Sequence, residues 1–167
     1  YFHKTRVILD HHLQEALRTI LRDGTFPSPK AIGEFLGWHD WRVLGALTDG
    51  KGGEDGQRLS DRDFFRLVWE GDEQMSGQAT DEAAQMEKAL IAGGIPPVKR
   101  DARGSWYKLK NRDLLIRQQV TGKVRVLSQV SQLVGNMKDS NQIRLYVSPS
   151  DRARARDLIK NAGGTPL

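Results

Sequence analysis

The residue types able to do chemistry fall in a few places. His39-Asp40 is the most tempting pair. With His11 or His12 before it and Asp49 or Asp61 after it, it imitates an H…HD…D set. In such a set, neutral imidazoles and carboxylates together hold a divalent metal that activates a water. The pair also follows a glycine and lies between Trp38 and Trp41 at the entrance of a helix, where an aspartate serves as a cap. Asp40 is therefore expected to be a cap. His11-His12 should point to two faces of one helix, which does not suit a single metal. Gly50-Lys51-Gly52-Gly53 resembles a phosphate loop only loosely, since the Walker spacing is missing and no apolar strand precedes it. Trp106-Tyr107-Lys108, with Arg103, Lys110 and Arg112 nearby, interleaves aromatics with bases. That pattern suits stacking on bases and holding phosphates, and it equally suits an amphipathic strand with a solvated face. Tyr1-Phe2-His3-Lys4-Thr5-Arg6 gathers a hydroxyl, an imidazole and two cations at a helix start, a combination that suits an anion.

These residues need elements to hold them. Residues 4–22 read as one amphipathic helix through Ile8, Leu13, Leu17, Ile20 and Leu21. Asp23-Gly24 stops it. Ser28-Pro29 opens a short helix that ends at Gly37. Asp40 leads a third helix, Trp41 to Leu47, and residues 49–56 read as a loop. Ser60 or Asp61 should cap a fourth helix carrying Phe64, Phe65, Leu67, Val68 and Trp69. Thr80 or Asp81 starts a fifth, ending at Gly93-Gly94. After residue 95 the periodicity changes. Residues 105–109, 123–127 and 142–147 alternate polar and apolar side chains, as half-buried strands do. Ser148-Pro149-Ser150-Asp151 has capping-box spacing before a last helix through Ala155, Leu158 and Ile159. The expected fold class is α+β: a mostly helical lobe over 1–95, then a small basic α+β lobe over 96–167.

Charge follows the same division. Residues 1–95 hold 11 Lys and Arg against 16 Asp and Glu, a net of −5. Residues 96–167 hold 15 against 5, a net of +10. The basic part suits phosphates, nucleic acid or an acidic protein face. The absence of cysteine excludes disulfides, thiolate metal sites and a cysteine nucleophile. No apolar run approaches the length of a membrane span, and residues 1–23 carry charges throughout, unlike a secretory signal. A cytoplasmic location without membrane attachment is expected. The chain starts at Tyr1 rather than Met and reads as a segment of something longer.

Tyr1-Phe2-His3-Lys4-Thr5-Arg6, with Ile8, resembles a segment of HD-domain phosphohydrolases, in the branch of the SAM-and-HD-domain dNTP triphosphohydrolase. Residues 41–47, Asp61-Arg62-Asp63-Phe64-Phe65-Arg66-Leu67, Arg144-Leu145-Tyr146-Val147 and residues 151–159 follow that family's order in looser form. The resemblance implies that the family's metal-binding residues lie upstream of Tyr1, so that His39-Asp40 is not its HD motif. It implies a substrate-binding edge made by Tyr1, Phe2 and His3. Phe2 stands where some members have a polar residue near the base. The resemblance also implies a phosphate or allosteric nucleotide contact by Lys4 and Arg6.

The chain is thus expected to be the C-terminal part of a metal-dependent (deoxy)nucleotide phosphohydrolase. The intact protein would use a divalent metal; this segment would bind none and supply no catalytic residue. Nucleotides and further copies of itself are the expected partners. The alternative is a non-enzymatic module that binds nucleic acid or protein through the basic residues 96–167.

Overall fold

The computed structural model describes residues 3–72, 77–104, 114–136 and 140–167. Helix α1, Lys4–Ile20, buries Ile8, His12 and Ala16. That i, i+4, i+8 spacing is one helical stripe, with a histidine in its middle. After Leu21 a turn carries Asp23 and Gly24 at positive φ, and the chain enters two short helices, α2 (Ile32–Leu36) and α3 (Asp40–Thr48). Neither buries a residue fully. Asp40 is not the cap of α3. Its N-cap is His39, whose Nδ1 accepts the Arg42 N–H at 3.3 Å.

Helix α4, Gly53–Ser60, takes up half of the expected loop over 49–56. Tertiary packing overrides the poor helix propensity of its glycines. Gly52 and Gly56 are buried against Ala16 and Leu47, and a Cβ on Gly52 would meet the Gly56 Cα at 2.9 Å. This small-residue contact brings α4 close to α1.

The expected fourth helix through Phe64 to Trp69 is not there. The helix ends at Ser60, and Arg66–Glu70 is strand β1. The consecutive burial of Leu67, Val68 and Trp69 is the reason. It mimics a buried helix segment, whereas the chain uses it as a strand covered on both sides. A register shift between Leu67 and Trp69 places Val68 and Trp69 in one core and Leu67 in the other.

Helix α5, Gly77–Ala92, ends at Gly93 and Gly94, the latter at φ 77°. Strand β2 is Val98–Gly104, β3 is Leu115–Arg117 and β4 is Val124–Val126. Helices α6 (Leu127–Val130) and α7 (Gln132–Gly135) are single turns. Strand β5 is Ser140–Val147, and α8 is Arg152–Asn161. The expected strand over 105–109 lies outside the described residues. Ser148 and Asp151 make no side-chain capping bond, so the capping box expected there is not formed.

The main sheet has the order β1-β5-β2 and is antiparallel throughout. Its centre, β5, pairs with β1 from before residue 95 and β2 from after it, so one sheet joins the two charge halves. One face packs on α5 and α8 through Met86, Leu90, Ile143, Leu145, Val147, Ala155 and Ile159. The other packs on α1 through Ile8, Leu67 and Tyr146. The fold class is α+β. Among the described residues, no helix is long and apolar enough to cross a membrane.

Candidate anion cavity and its histidine wall

The start of α1, the segment before β1 and the start of α8 meet at a cavity of about 120 Å³. Lys4, Arg66 and Arg152 are three basic residues of its lining, and none of the residues that line it is acidic. Thr5, Ile8, Phe64, Phe65, Leu67 and Tyr146 complete it. The 17-residue helix α1 has no acidic residue in its first turn, so the partial positive charge of its N-terminus is not offset there.

Two contacts shape this lining. The Arg66 guanidinium lies 4.4 Å from the Phe64 ring centroid, a cation–π contact. The Tyr146 hydroxyl donates to the Lys4 carbonyl at 2.9 Å and ties the start of α1 to β5. Burial pushes the Tyr146 phenol up to about 12. A three-cation, acid-free cavity beside a helix N-terminus suits phosphate or sulfate.

Behind this cavity sits His12, fully buried. Its Nε2 accepts the Phe65 backbone N–H at 3.1 Å, and its Nδ1 lies 2.6 Å from Asp55 Oδ1. An amide N–H can only donate, so Nε2 is the acceptor. The proton of the neutral ring is then on Nδ1, pointing at Asp55. The Phe65 ring packs edge-on at 4.8 Å, and the Arg58 guanidinium covers Phe65 at 4.8 Å. His12 therefore ties α1, α4 and the Phe64-Phe65 wall of the cavity together.

His11 and His12 do not diverge as expected. Their ring centroids are 5.4 Å apart, and with Asp55 they place three potential ligand atoms within 4.8 Å of one another. The hydrogen bonds do not fit a metal. Coordination at His12 Nδ1 would require the proton on Nε2, facing the Phe65 N–H head on; coordination at Nε2 would displace that N–H. His11 Nδ1 is buried and has no hydrogen-bond partner. Burial, and then the positive charge of Arg100, lowers the His11 pKa below its usual value.

The structure sorts the remaining candidates. Tyr1 and Phe2 lie outside the described residues. His3 is the N-cap of α1, accepting the Thr5 N–H on Nδ1 at 3.3 Å, and is exposed. Lys4 reaches the cavity; Arg6 is exposed and pairs with Asp10 at 3.6 Å. His39 and Asp40 are exposed and far from this construction in role, serving α3. Of the Trp106 cluster, residues 105–113 lie outside the described residues. A larger cavity of about 490 Å³ lies on the opposite core, but Glu70, Asp72 and Glu82 line it and disfavour an anion.

Sequence reasoning missed Arg66, Arg152 and Tyr146 as neighbours of Lys4, and missed the His12–Asp55 pair. A histidine at a core position of an otherwise apolar stripe was the available signal for His12.

No protein-family model and no curated protein matches this chain. Among solved structures, the crystal structure of a hypothetical protein from Aquifex aeolicus is similar, with a TM-score of 0.71 and 20% identity. The similarity covers 95% of this chain and 40% of that one, so the chain spans less than half the length of the structure it matches, and what it shares with it is the fold.

Proposed function

We propose that this chain is the C-terminal portion of a metal-dependent, HD-type (deoxy)nucleotide phosphohydrolase, and that its cationic cavity holds nucleotide phosphate. The observation that carries this reading is the convergence of Lys4, Arg66 and Arg152 at the start of α1. Lys4 belongs to the segment on which the family resemblance rests. In this reading Lys4 and Arg66 contact phosphate oxygens, and Tyr146 fixes the backbone from which Lys4 projects. The metal-binding residues would, in this reading, belong upstream of Tyr1. Tyr1, Phe2 and His3 would form the substrate edge, and Arg6 would remain a peripheral cation.

Titration of the chain with a dNTP panel tests the cavity. Removing one charge-assisted phosphate contact should weaken binding about tenfold or more. Lys4→Ala and Arg66→Ala are each expected to do so with the fold intact by circular dichroism. Unchanged affinity in both would sink the assignment. Phosphate or triphosphate release from dNTPs with Mg²⁺ or Mn²⁺, assayed on the protein expressed from its whole gene, tests the reaction class.

A second reading is supported by the β3–β4 hairpin. It carries Arg117, Lys123 and Arg125, and residues 114–136 contain no acidic side chain. Leu115, Val120 and Val124 are exposed on it. A nucleic-acid surface here would bind RNA or DNA with affinity falling steeply with salt. Such binding without any dNTP binding would favour that reading over the first.

A further inference from the structure

We propose that His12 is the positioning residue of the anion cavity: it holds the Phe64–Phe65–Arg66 wall in place while its ring is neutral and releases it when protonated. The inference rests on the cavity being an anion site. Its physical basis is that hydrogen-bond roles here are fixed on both sides. The Phe65 N–H must donate, so Nε2 must be unprotonated. Asp55 at 2.6 Å accepts a hydrogen bond from the Nδ1–H and so selects the one tautomer that leaves the Nε2 lone pair free for the Phe65 amide. Phe64, Phe65 and Arg66 all line the cavity. The bond from His12 to Phe65 is therefore a link from the middle of α1 to the cavity wall.

Protonation puts a second N–H on the ring, directed at the Phe65 amide. The amide then loses its acceptor within a buried contact, and the wall has to move. The charged and titratable groups around the ring act in opposite directions. Asp55 favours the imidazolium. Against it stand His11, with its ring centroid at 5.4 Å, the Arg58 guanidinium stacked over Phe65, and Arg100, whose charge bears on His11. Whatever the balance of these groups, protonation and the Phe65 bond exclude each other. The direction is set: lower pH loosens the wall and weakens anion binding.

The glycine-lined approach of α4 makes the link possible. Gly52 and Gly56 against Ala16 allow Asp55 to reach a ring buried on α1. Asp55 is only part-buried, so the tautomer of a core histidine is controlled from the rim of the fold. His12 touches no anion itself; it acts through Phe65.

The test compares the full chain with His12→Gln. Glutamine offers an amide oxygen to the Phe65 N–H and an amide N–H to Asp55, and it does not titrate. Sulfate is the probe, because its charge is constant between pH 5 and 8. The Phe65 amide and the His12 ring are followed by NMR across that range, and sulfate affinity is measured at each end. In the wild-type chain the Phe65 amide should shift with the His12 titration, and sulfate affinity should fall about fivefold more between pH 8 and pH 5 than in His12→Gln. His3, His11 and His39 are common to both proteins, so the difference belongs to His12. Equal pH dependence in the two proteins would overturn this inference alone. Sulfate bound by neither protein at any pH would overturn the anion-cavity reading and this inference with it. If His12→Gln fails to fold, Asp55→Asn replaces it. Its side-chain oxygen still accepts from Nδ1, but the carboxylate charge that favours the imidazolium is gone. The Phe65 transition should then move to lower pH, and an unmoved transition would overturn the inference.

Discussion

The molecule contains two His–Asp constellations with opposite fates. His39-Asp40 is contiguous in sequence, exposed, and spent on starting a helix. His12 and Asp55 are 43 residues apart, and they form a buried ring bonded on both nitrogens. Adjacent residues on one chain can hardly enclose each other, so a contiguous pair tends to serve the local backbone. A pair assembled by two packed helices can exclude water, and exclusion of water gives a hydrogen bond leverage over its surroundings. The comparison shows why motif spelling is a poor guide to which histidine matters.

The sharpest way to break the comparison is to truncate both histidines. His12→Ala leaves the Phe65 N–H without its acceptor and opens a cavity between α1 and the β1 approach. Together these should cost about 3 kcal/mol. Urea denaturation reads that loss; a change below about 1 kcal/mol would mean that water replaces the ring without penalty.

A smaller effect is expected from the helix contact that brings Asp55 within reach. Gly52→Ala puts a methyl 2.9 Å from the Gly56 Cα and from a Leu47 methyl. The backbone atom cannot rotate away, so overpacking of about 2 kcal/mol should follow. The same substitution should push Asp55 off His12, seen as a shifted His12 ring titration by NMR. Normal stability with an unmoved titration would show that α4 has room to retreat.

Much of this was legible in the residues and part was not. The amphipathic stripe of α1, the glycine stop at residues 93–94 and the alternation of β5 are local patterns, and local patterns are what one sequence displays. The α+β class follows from them. Leu67-Val68-Trp69 was misleading because a run buried on both faces has no periodicity to read. α4 was hidden because its glycines look like a loop until Ala16 packs against them. The cavity was half visible: Lys4 sits in a motif, but Arg66 and Arg152 join it only through the β1-β5 pairing. His12 was visible as a polar residue in an apolar stripe, and its partner was not, since nothing near Asp55 marks it as destined for a histidine.

Tyr146 offers a third test, at the part of the cavity lining that comes from β5. Tyr146→Phe removes the bond to the Lys4 carbonyl and keeps the ring, so about 1 kcal/mol of stability should be lost. The pH dependence has a definite sign. Burial raises the phenol to about 12 in the folded chain, against an ordinary 10.0. The unfolded chain therefore releases this proton first. Stability should be intact below pH 10 and fall as pH rises from 10 towards 12. Tyr146→Phe should flatten that part of the alkaline unfolding curve, and an unchanged slope would assign the alkaline loss to other groups.

The smallest effect belongs to the exposed pair. His39→Ala removes the acceptor for the Arg42 N–H at the start of α3, a solvent-facing bond of 3.3 Å. Water can replace a lost acceptor there, so the cost should stay near 0.5–1 kcal/mol, the usual range for a helix cap. His39→Asn should restore most of it, because asparagine is itself a good cap, whereas a metal ligand or catalytic base would not be rescued in that way. Asp40→Ser is expected to leave stability within about 0.5 kcal/mol, as for other exposed substitutions. A loss at His39 or Asp40 as large as that at His12 would collapse the distinction between the two pairs and give the contiguous dipeptide a role beyond its helix.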